Sequence, residues 1–277
     1  MEGQIVKIVS DLHYVKYDNQ VYPCKCRGIM RHEHITPVVG DYVLFDIENL
    51  IIDKILDRKN VFNRPKVSNI DQAFIITSMV VPDFSLNLLD KLIVNMELHK
   101  VRPIIVISKS DLVDDMNDYE EIFNYYRSIG YEVIYNYEDD KIKELLKNKT
   151  SVFTGQTGAG KSTLLNRLDS TFNIEVGEVS MSLGRGKHTT REVSMYELYD
   201  GEVIDTPGFS ALDFNDYTKE QIRDAFVEFK NFDCEYRDCM HKNTENCGVY
   251  EAVLDNNILK SRYINYLKFI GDDKNEN

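Results

Sequence analysis

The chain has 277 residues, 43% hydrophobic and 29% charged, which is enough apolar material for two or three packed domains and excludes a fibrous or disordered chain. A net charge of −13 excludes a general affinity for nucleic acid, because phosphate contact draws on clustered Lys and Arg, so any RNA contact must be local. No uncharged apolar run approaches the roughly 18–20 residues of a membrane helix, and the opening MEGQIVKIVSD lacks the apolar core of a signal peptide, which predicts a cytoplasmic protein with no membrane partner.

Residues 1–68 alternate apolar and polar positions in short runs, QIVKIV, HYVKY, DYVLFDI and LIIDKIL, broken by turn signals at Asp18-Asn19 and Gly40-Asp41. Short strands at such spacing predict a small antiparallel β-barrel. Cys24 and Cys26 alternate along one strand and read as strand thiols. Lys25, Arg27, Arg31 and His32 form a local basic group that fits either an RNA contact or a solvated loop.

Residues 69–215 change texture. The apolar runs QAFIITSMVV, RPIIVIS, YEVIY, SVFTG and EVIDT alternate with helical patterns, the signature of a mostly parallel sheet covered by helices. The run RPIIVIS closes on Ser108-Lys109-Ser110-Asp111, a variant of N-K-x-D with Ser in place of Asn. Its aspartate can accept two hydrogen bonds from guanine N1 and the exocyclic amine, with the Lys109 stem along the base. Adenine offers no such donor pair and would leave a buried carboxylate unpaired. Alone, K-x-D also fits a solvated helix start with Asp as N-cap.

Gly155-Gln156-Thr157-Gly158-Ala159-Gly160-Lys161-Ser162-Thr163 follows a strand-like run and leads into TLLNRL. It matches G-x-x-x-x-G-K-[ST] in the expected context of strand, glycine-rich loop and helix. Glycines let backbone amides turn inward around phosphate oxygens at a helix N-terminus; Lys161 reaches the β- and γ-phosphates, and the Ser162 hydroxyl can bind Mg2+. Next comes Gly184-Arg185-Gly-Lys187-His188-Thr189-Thr190-Arg191, a loop in which Thr190, or else Thr189, can bind magnesium and the γ-phosphate. Its basic residues fit RNA, phosphate or solvent. Asp205-Thr206-Pro207-Gly208 closes the run GEVI, with Asp205 placed to support the magnesium shell and the Gly208 amide to sense the γ-phosphate. Where many GTPases then place a water-positioning Gln this chain has Phe209-Ser210, which predicts slow intrinsic hydrolysis.

In residues 216–277, Thr218-Lys219-Glu220-Gln221 is a capping-box pattern that opens a helix. Cys234, Cys239, His241 and Cys247 then supply three sulfurs and an imidazole, a full tetrahedral set for structural zinc, with buried free thiols as the alternative on spacing alone.

The motifs run base reader, phosphate loop, Asp-x-x-Gly, a circular permutation of the usual GTPase order. A doubly wound sheet tolerates this because the ligand sits outside the carboxyl ends of the strands wherever the chain is cut. Together with Gly40-Asp41-Tyr42-Val43, Asn63-Arg64-Pro65, GRGKHTT, DTPGF and CEYRDCMH, the motifs make the chain resemble the ribosome small-subunit-dependent GTPase A (RsgA) family of bacteria. The resemblance implies an N-terminal OB-fold over 1–68, a permuted α/β phosphate-loop GTPase domain over 69–215 and a mostly helical zinc-binding domain over 216–277. It further implies a monomer with one structural Zn2+ and nucleotide-bound Mg2+. Its implied partners are GTP or GDP and the small ribosomal subunit with its rRNA, during late maturation of that subunit, with hydrolysis stimulated by it. His188 is implied to position the attacking water, although it also fits an rRNA contact. Two other classes stay open on residues alone: a phosphate-loop kinase or ATPase, opposed by Asp111, and an RNA-binding module with a vestigial nucleotide site, opposed by Lys161, Ser162 and Asp205.

Overall fold

The computed structural model describes residues 1–28, 36–169, 193–205, 213–242 and 245–271. Its first five strands are β1 (Glu2–Val9), β2 (Leu12–Tyr17), β3 (Gln20–Cys26), β4 (Tyr42–Asp46) and β5 (Ile51–Ile55). They pair in the order β1-β2-β3-β5-β4, and β4 returns to β1, so the sheet closes on itself and has no free edge. Side chains of period two, Ile5, Val15, Cys24, Val43, Phe45 and Ile52, fill the interior. The antiparallel expectation needs one correction: β3 and β5 run parallel. Strand β5 returns antiparallel to β4 and so closes the barrel in the same direction as β3. This closed five-stranded barrel is the OB topology.

A hairpin of β6 (Val61–Asn63) and β7 (Lys66–Ser68) follows, and then the α/β layer. Its strands are β8 (Gln72–Ser78), β9 (Arg102–Ser108), β10 (Glu132–Tyr135), β11 (Thr150–Gly155), β12 (Ser194–Leu198) and β13 (Gly201–Asp205), in the order β10-β9-β8-β11-β13-β12. All neighbours are parallel except β12 and β13. Both faces are covered, which is why these strands read as continuous apolar runs. On one face, Ala73, Ile75, Ile105, Ile107 and Val152 pack on α1 (Leu86–Leu98) and α2 (Asn117–Ser128). On the other, Phe74, Ile76, Ile104, Val106 and Phe153 pack on α3 (Asp139–Leu146) and α4 (Lys161–Leu168). Strand β12 was not among the runs read from sequence. It runs into β13 through Tyr199-Asp200, both with positive φ (51° and 59°), a primed turn written without the Asn-Gly signal. The barrel joins this sheet by an antiparallel pairing of β1 with β12 at Lys7 and Ser194, reinforced by the Lys16–Glu197 ion pair.

The C-terminal unit holds α5 (Lys219–Asp224), a 3-10 segment (Val227–Asn231), α6 (Gly248–Leu254) and α7 (Lys260–Phe269). Thr218 caps α5 as its capping box predicts, with both reciprocal bonds formed. Phe226, Phe229, Val249, Tyr263 and Tyr266 make its core, which also takes in Val94 of α1. Where the three units meet, the His99 ring stacks on Phe62 of the hairpin at 3.9 Å, and its Nε2 accepts from the Tyr217 hydroxyl at 3.1 Å. Among the described residues, no helix is long and apolar enough to cross a membrane.

Candidate nucleotide site and metal centre

Strand β11 ends at Gly155, whose φ of +143° and approach to β8 admit no side chain, since an added Cβ would lie 2.1 Å from the Ile76 carbonyl oxygen. The loop continues through Gly158 and Gly160, with φ of +81° and +101°, conformations that β-carbons disfavour. Gly160 occupies the cap position of α4, so the helix N-terminus opens onto the loop. Gln156, Thr157 and Gly158 are exposed and Ala159 is buried. Lys161 starts the helix and bends back so that its Nζ donates to the Gly155 carbonyl oxygen at 3.0 Å. Ser162 and Thr163 follow on the first turn. Glycine backbone, the N-terminus of α4 and the Lys161 ammonium thus meet in one loop, the parts a cradle for phosphate oxygens needs.

The predicted base-reading turn lies beside this loop although 44 residues separate Asp111 from Gly155 in the chain. Strand β9 ends at Ser108, Lys109 adopts the left-handed conformation (φ 57°, ψ 28°), and Ser110–Leu112 form a 3-10 turn. No side chain caps that turn, so Asp111 does not serve as an N-cap, and its carboxylate stands exposed. Lys109 Nζ donates to the Gly158 carbonyl oxygen at 2.9 Å and also to that of Val81. The buried Ser108 hydroxyl donates to the Ala159 carbonyl oxygen at 2.5 Å. Two loops distant in sequence therefore share an edge, one suited to phosphates and the other to a base.

Strand β13 runs parallel to β11, with Ile204 opposite Val152, so the backbone of Asp205 emerges alongside the start of the phosphate loop. Thr206, Gly208, Phe209 and Ser210 lie outside the described residues. So do Arg185, Lys187, His188, Thr189, Thr190 and Arg191, and Arg31 and His32 of the basic group in the barrel. Within that group, Lys25 is exposed, whereas Arg27 is paired with Asp53 at 2.6 Å, which offsets its charge.

Two contributors were not read from sequence. The turn after β10, residues 136–138, leaves the sheet beside Ser108, since Asn136 N–H donates to the Ile107 carbonyl oxygen at 2.8 Å. Arg167 of α4 straps that turn down, donating to Asp139 Oδ1 at 2.7 Å and to the Asn136 carbonyl oxygen. An Arg in the last turn of a short helix carries no motif, so nothing in the sequence marks it.

The Cys/His reading converges on one point. The ligand atoms of Cys234, Cys239, His241 and Cys247 all lie within 4.8 Å of one another. Cys234 Sγ is 3.8 Å from Cys247 Sγ and 3.4 Å from His241 Nδ1, and Cys247 Sγ is 3.5 Å from the same nitrogen. A tetrahedral ion with sulfur ligands at about 2.3 Å and a nitrogen at about 2.0 Å has edges of about 3.8 and 3.5 Å, so these three donors are spaced for a metal of that size, with Cys239 as the fourth. An antiparallel bridge between Cys234 and Cys247 sets the spacing, and Gly248 is needed next to it because a Cβ there would meet the Asp233 carbonyl oxygen at 2.2 Å. Burial pushes the Cys247 thiol up to about 12 and the His241 imidazole down to about 4. A cation in their midst favours the thiolate and uses the neutral imidazole, which relieves the cost of both burials. Four protein donors leave no open position. Among the described residues this is the only such group, and Cys24 and Cys26 stay strand thiols, with Cys26 Sγ 3.7 Å from His13 Nδ1.

Comparison with known proteins agrees with this geometry. The RsgA N-terminal domain model matches residues 2–50 and the RsgA GTPase model residues 55–215. The small ribosomal subunit biogenesis GTPase RsgA 2 of Listeria monocytogenes is 44% identical, covering 99% of this chain and 98% of that protein. The corresponding RsgA of Streptococcus agalactiae serotype V is 42% identical over 98% of this chain and 95% of its own. Among solved structures, YloQ, a circularly permuted GTPase, superposes with a TM-score of 0.82 at 36% identity, covering 99% of this chain and 94% of its own. YjeQ from Thermotoga maritima gives 0.82 at 30% identity over 100% and 99%. With a Lys-x-Asp turn that precedes its phosphate loop in sequence yet abuts it in space, the chain belongs to the RsgA family of circularly permuted GTPases.

Proposed function

We propose that this GTPase binds the small ribosomal subunit late in its assembly, hydrolyses GTP to GDP and phosphate when that subunit orders its switch segments, and leaves on hydrolysis. The observation that carries the nucleotide part is the shared edge of the two loops, Ser108 on Ala159 and Lys109 on Gly158, which sets base and phosphate subsites at a fixed separation. The ribosomal part draws on the names of the relatives. In this reading Asp111 accepts from guanine, Lys109 lies along the base, backbone amides of Gly155 to Thr163 surround the phosphates, and Lys161 turns from its loop carbonyl to the β- and γ-oxygens. Ser162, Thr190 and Asp205 would hold magnesium, which supplies charge neutralisation for the leaving diphosphate. Gly208 senses the γ-phosphate and His188 orients water. Without a Gln after Asp-x-x-Gly, turnover is slow until a partner orders that histidine. The Cys3His centre takes zinc in a structural role, and Lys25 with Arg31 and His32 gives the acidic protein a local contact to rRNA. The protein works in the cytoplasm as a monomer.

Phosphate release from GTP and ATP, with and without small subunits, tests this. GTP turnover is expected to exceed ATP turnover and to rise with subunits. Lys161→Ala is expected to weaken GTP binding about ten- to hundredfold, the scale of lost charge-assisted hydrogen bonds. Asp111→Asn is expected to shift preference from GTP to xanthosine triphosphate, whose second carbonyl suits the amide donor. A rate indifferent to subunits removes the ribosomal part, and equal turnover of ATP moves the protein to the ATPases.

A further inference from the structure

We infer that the cleft between the amino ends of β9 and β10 and the C-terminal unit docks an arginine side chain of a partner protein, received by Glu97 and Tyr131 and flanked in its own chain by acidic residues.

The cleft has a volume of about 750 Å3 and lies at the end of the sheet opposite the phosphate loop. One wall is the end of α1, the start of β9 and the turn ahead of β10; the other is α5 with the 3-10 segment of the C-terminal unit. Leu98, Val101, Pro103 and Ile129 make the first wall apolar, as Ala225 and Val227 do the second. A ligand held there touches both units at once.

Glu97 lines this cleft with its carboxylate half-buried, and burial raises its pKa. Among the described residues no cation forms an ion pair with it. Arg262 and Lys230 act on it only from a distance, and the Arg262 guanidinium is engaged by Asp90 and Glu228. Beside Glu97, Tyr131 also lines the cleft; it is 7% exposed, and its hydroxyl is buried without a hydrogen-bond partner. A half-desolvated charge and an orphaned hydroxyl are each held at a cost, which an entering donor relieves. Both offer acceptor oxygens, so the complementary group is a cation with several N–H donors.

A guanidinium meets that description better than an ammonium. Its five N–H groups form a planar fork that can serve both oxygens of a carboxylate and a hydroxyl next to it, and its weak hydration suits apolar walls. The mouth of the cleft sets the chemistry on either side. Arg102 and Asp224 are paired with Glu132 and Arg223 at 3.3 and 2.8 Å, which offsets their charges. Lys100 and Lys230, both exposed, form no ion pair among the described residues, so acidic neighbours of the arginine would meet them. RNA could satisfy the two lysines but brings no cation to Glu97, which is why the occupant is a protein.

A blocked peptide, glycine-aspartate-arginine-glutamate-glycine, is titrated calorimetrically into the full-length chain and compared with the same peptide carrying citrulline, the uncharged isostere of arginine. The arginine peptide is expected to bind about tenfold or more tightly, the scale of a charge-assisted hydrogen bond, and Glu97→Gln to abolish that difference. Tyr131→Phe is expected to weaken the arginine peptide about threefold or more. Because Glu97 has no ion-pair partner in the free protein, Glu97→Gln is expected to melt no lower than the unaltered chain and to bind GDP equally, which separates lost docking from lost folding. Equal binding of the two peptides, or detectable binding of neither, overturns the inference. So does a Glu97→Gln protein that keeps the difference, or one that melts markedly lower, which would make Glu97 a structural partner. An RNA oligonucleotide whose binding is lost with Lys100→Ala and Lys230→Ala but is indifferent to Glu97→Gln overturns it in favour of phosphate recognition.

Discussion

Stripping the metal from the Cys3His centre, or replacing Cys247 by Ser, is expected to unfold the C-terminal unit while the α/β sheet and barrel persist. Binding free energy at structural zinc sites is on the order of 10 kcal/mol, and it is folding free energy because no preformed site exists in the unfolded chain. Several observations make this unit dependent on it. Among the described residues from Phe232 to Cys247 there is no helix, and they are tied down by the Cys234–Cys247 bridge and by two hydroxyls of α7, Tyr263 to the His241 carbonyl oxygen and Tyr266 to that of Met240, both at 2.6 Å. His241 itself has a φ of 51°, a conformation a histidine adopts only where its surroundings over-determine it. Without a cation, the buried Cys247 and His241 and the half-buried Cys234 lie within 3.8 Å of one another with little charge to bind them. Elemental analysis should give one zinc per chain. Chelation should split thermal unfolding into two transitions, with early protease cleavage confined beyond residue 216. A chelated protein with a single unchanged transition would show that the thiols are merely core.

Arg262→Ala is expected to destabilise the native state by about 3–5 kcal/mol, the cost of leaving buried charges without their partner. Arg262 is wholly buried on α7, and burial disfavours its charge, but Glu228 and Asp90 outweigh that and hold the guanidinium charged. It donates through Nη1 to Asp90 Oδ1 at 2.6 Å, and through Nε and Nη2 to the two oxygens of Glu228 at 2.5 and 3.1 Å. Asp90 also accepts from Tyr126 and from Asn265, each at 2.6 Å. Asp90 belongs to α1 and Glu228 to the C-terminal unit, so one side chain joins two domains across 172 residues of sequence. Alanine leaves two carboxylates desolvated and uncompensated, and it also removes the guanidinium plane stacked 4.7 Å from the Phe226 ring centre. Urea unfolding measures the effect. A loss under about 1 kcal/mol, the scale of an exposed pair, would show that water reaches the carboxylates and that the network is not sealed. The same change is expected to weaken coupling between nucleotide and C-terminal unit, because α1 begins five residues after Val81, whose carbonyl Lys109 holds.

What the sequence determined by itself is whatever free energy is local to consecutive residues. Period-two apolar runs marked the barrel strands and continuous apolar runs the parallel ones, Thr218 with Gln221 marked a helix start, and glycines at 155, 158 and 160 marked a loop that only they can form. The four metal donors were legible because their chemistry has few other uses. The tertiary structure alone decided the rest. It paired β3 with β5 in parallel, hid β12 behind a turn with Tyr-Asp at its centre, gave Arg27 to Asp53, and placed Arg167 over a turn that no motif marks. It also turned an unexpected serine at 108 into a bond to Ala159 and set a buried arginine between two acidic residues. The physical reason is common to all of these. A side chain's partner across the fold is set by strand order and register, which depend on how the whole chain buries its apolar surface, and no window of neighbouring residues contains that sum.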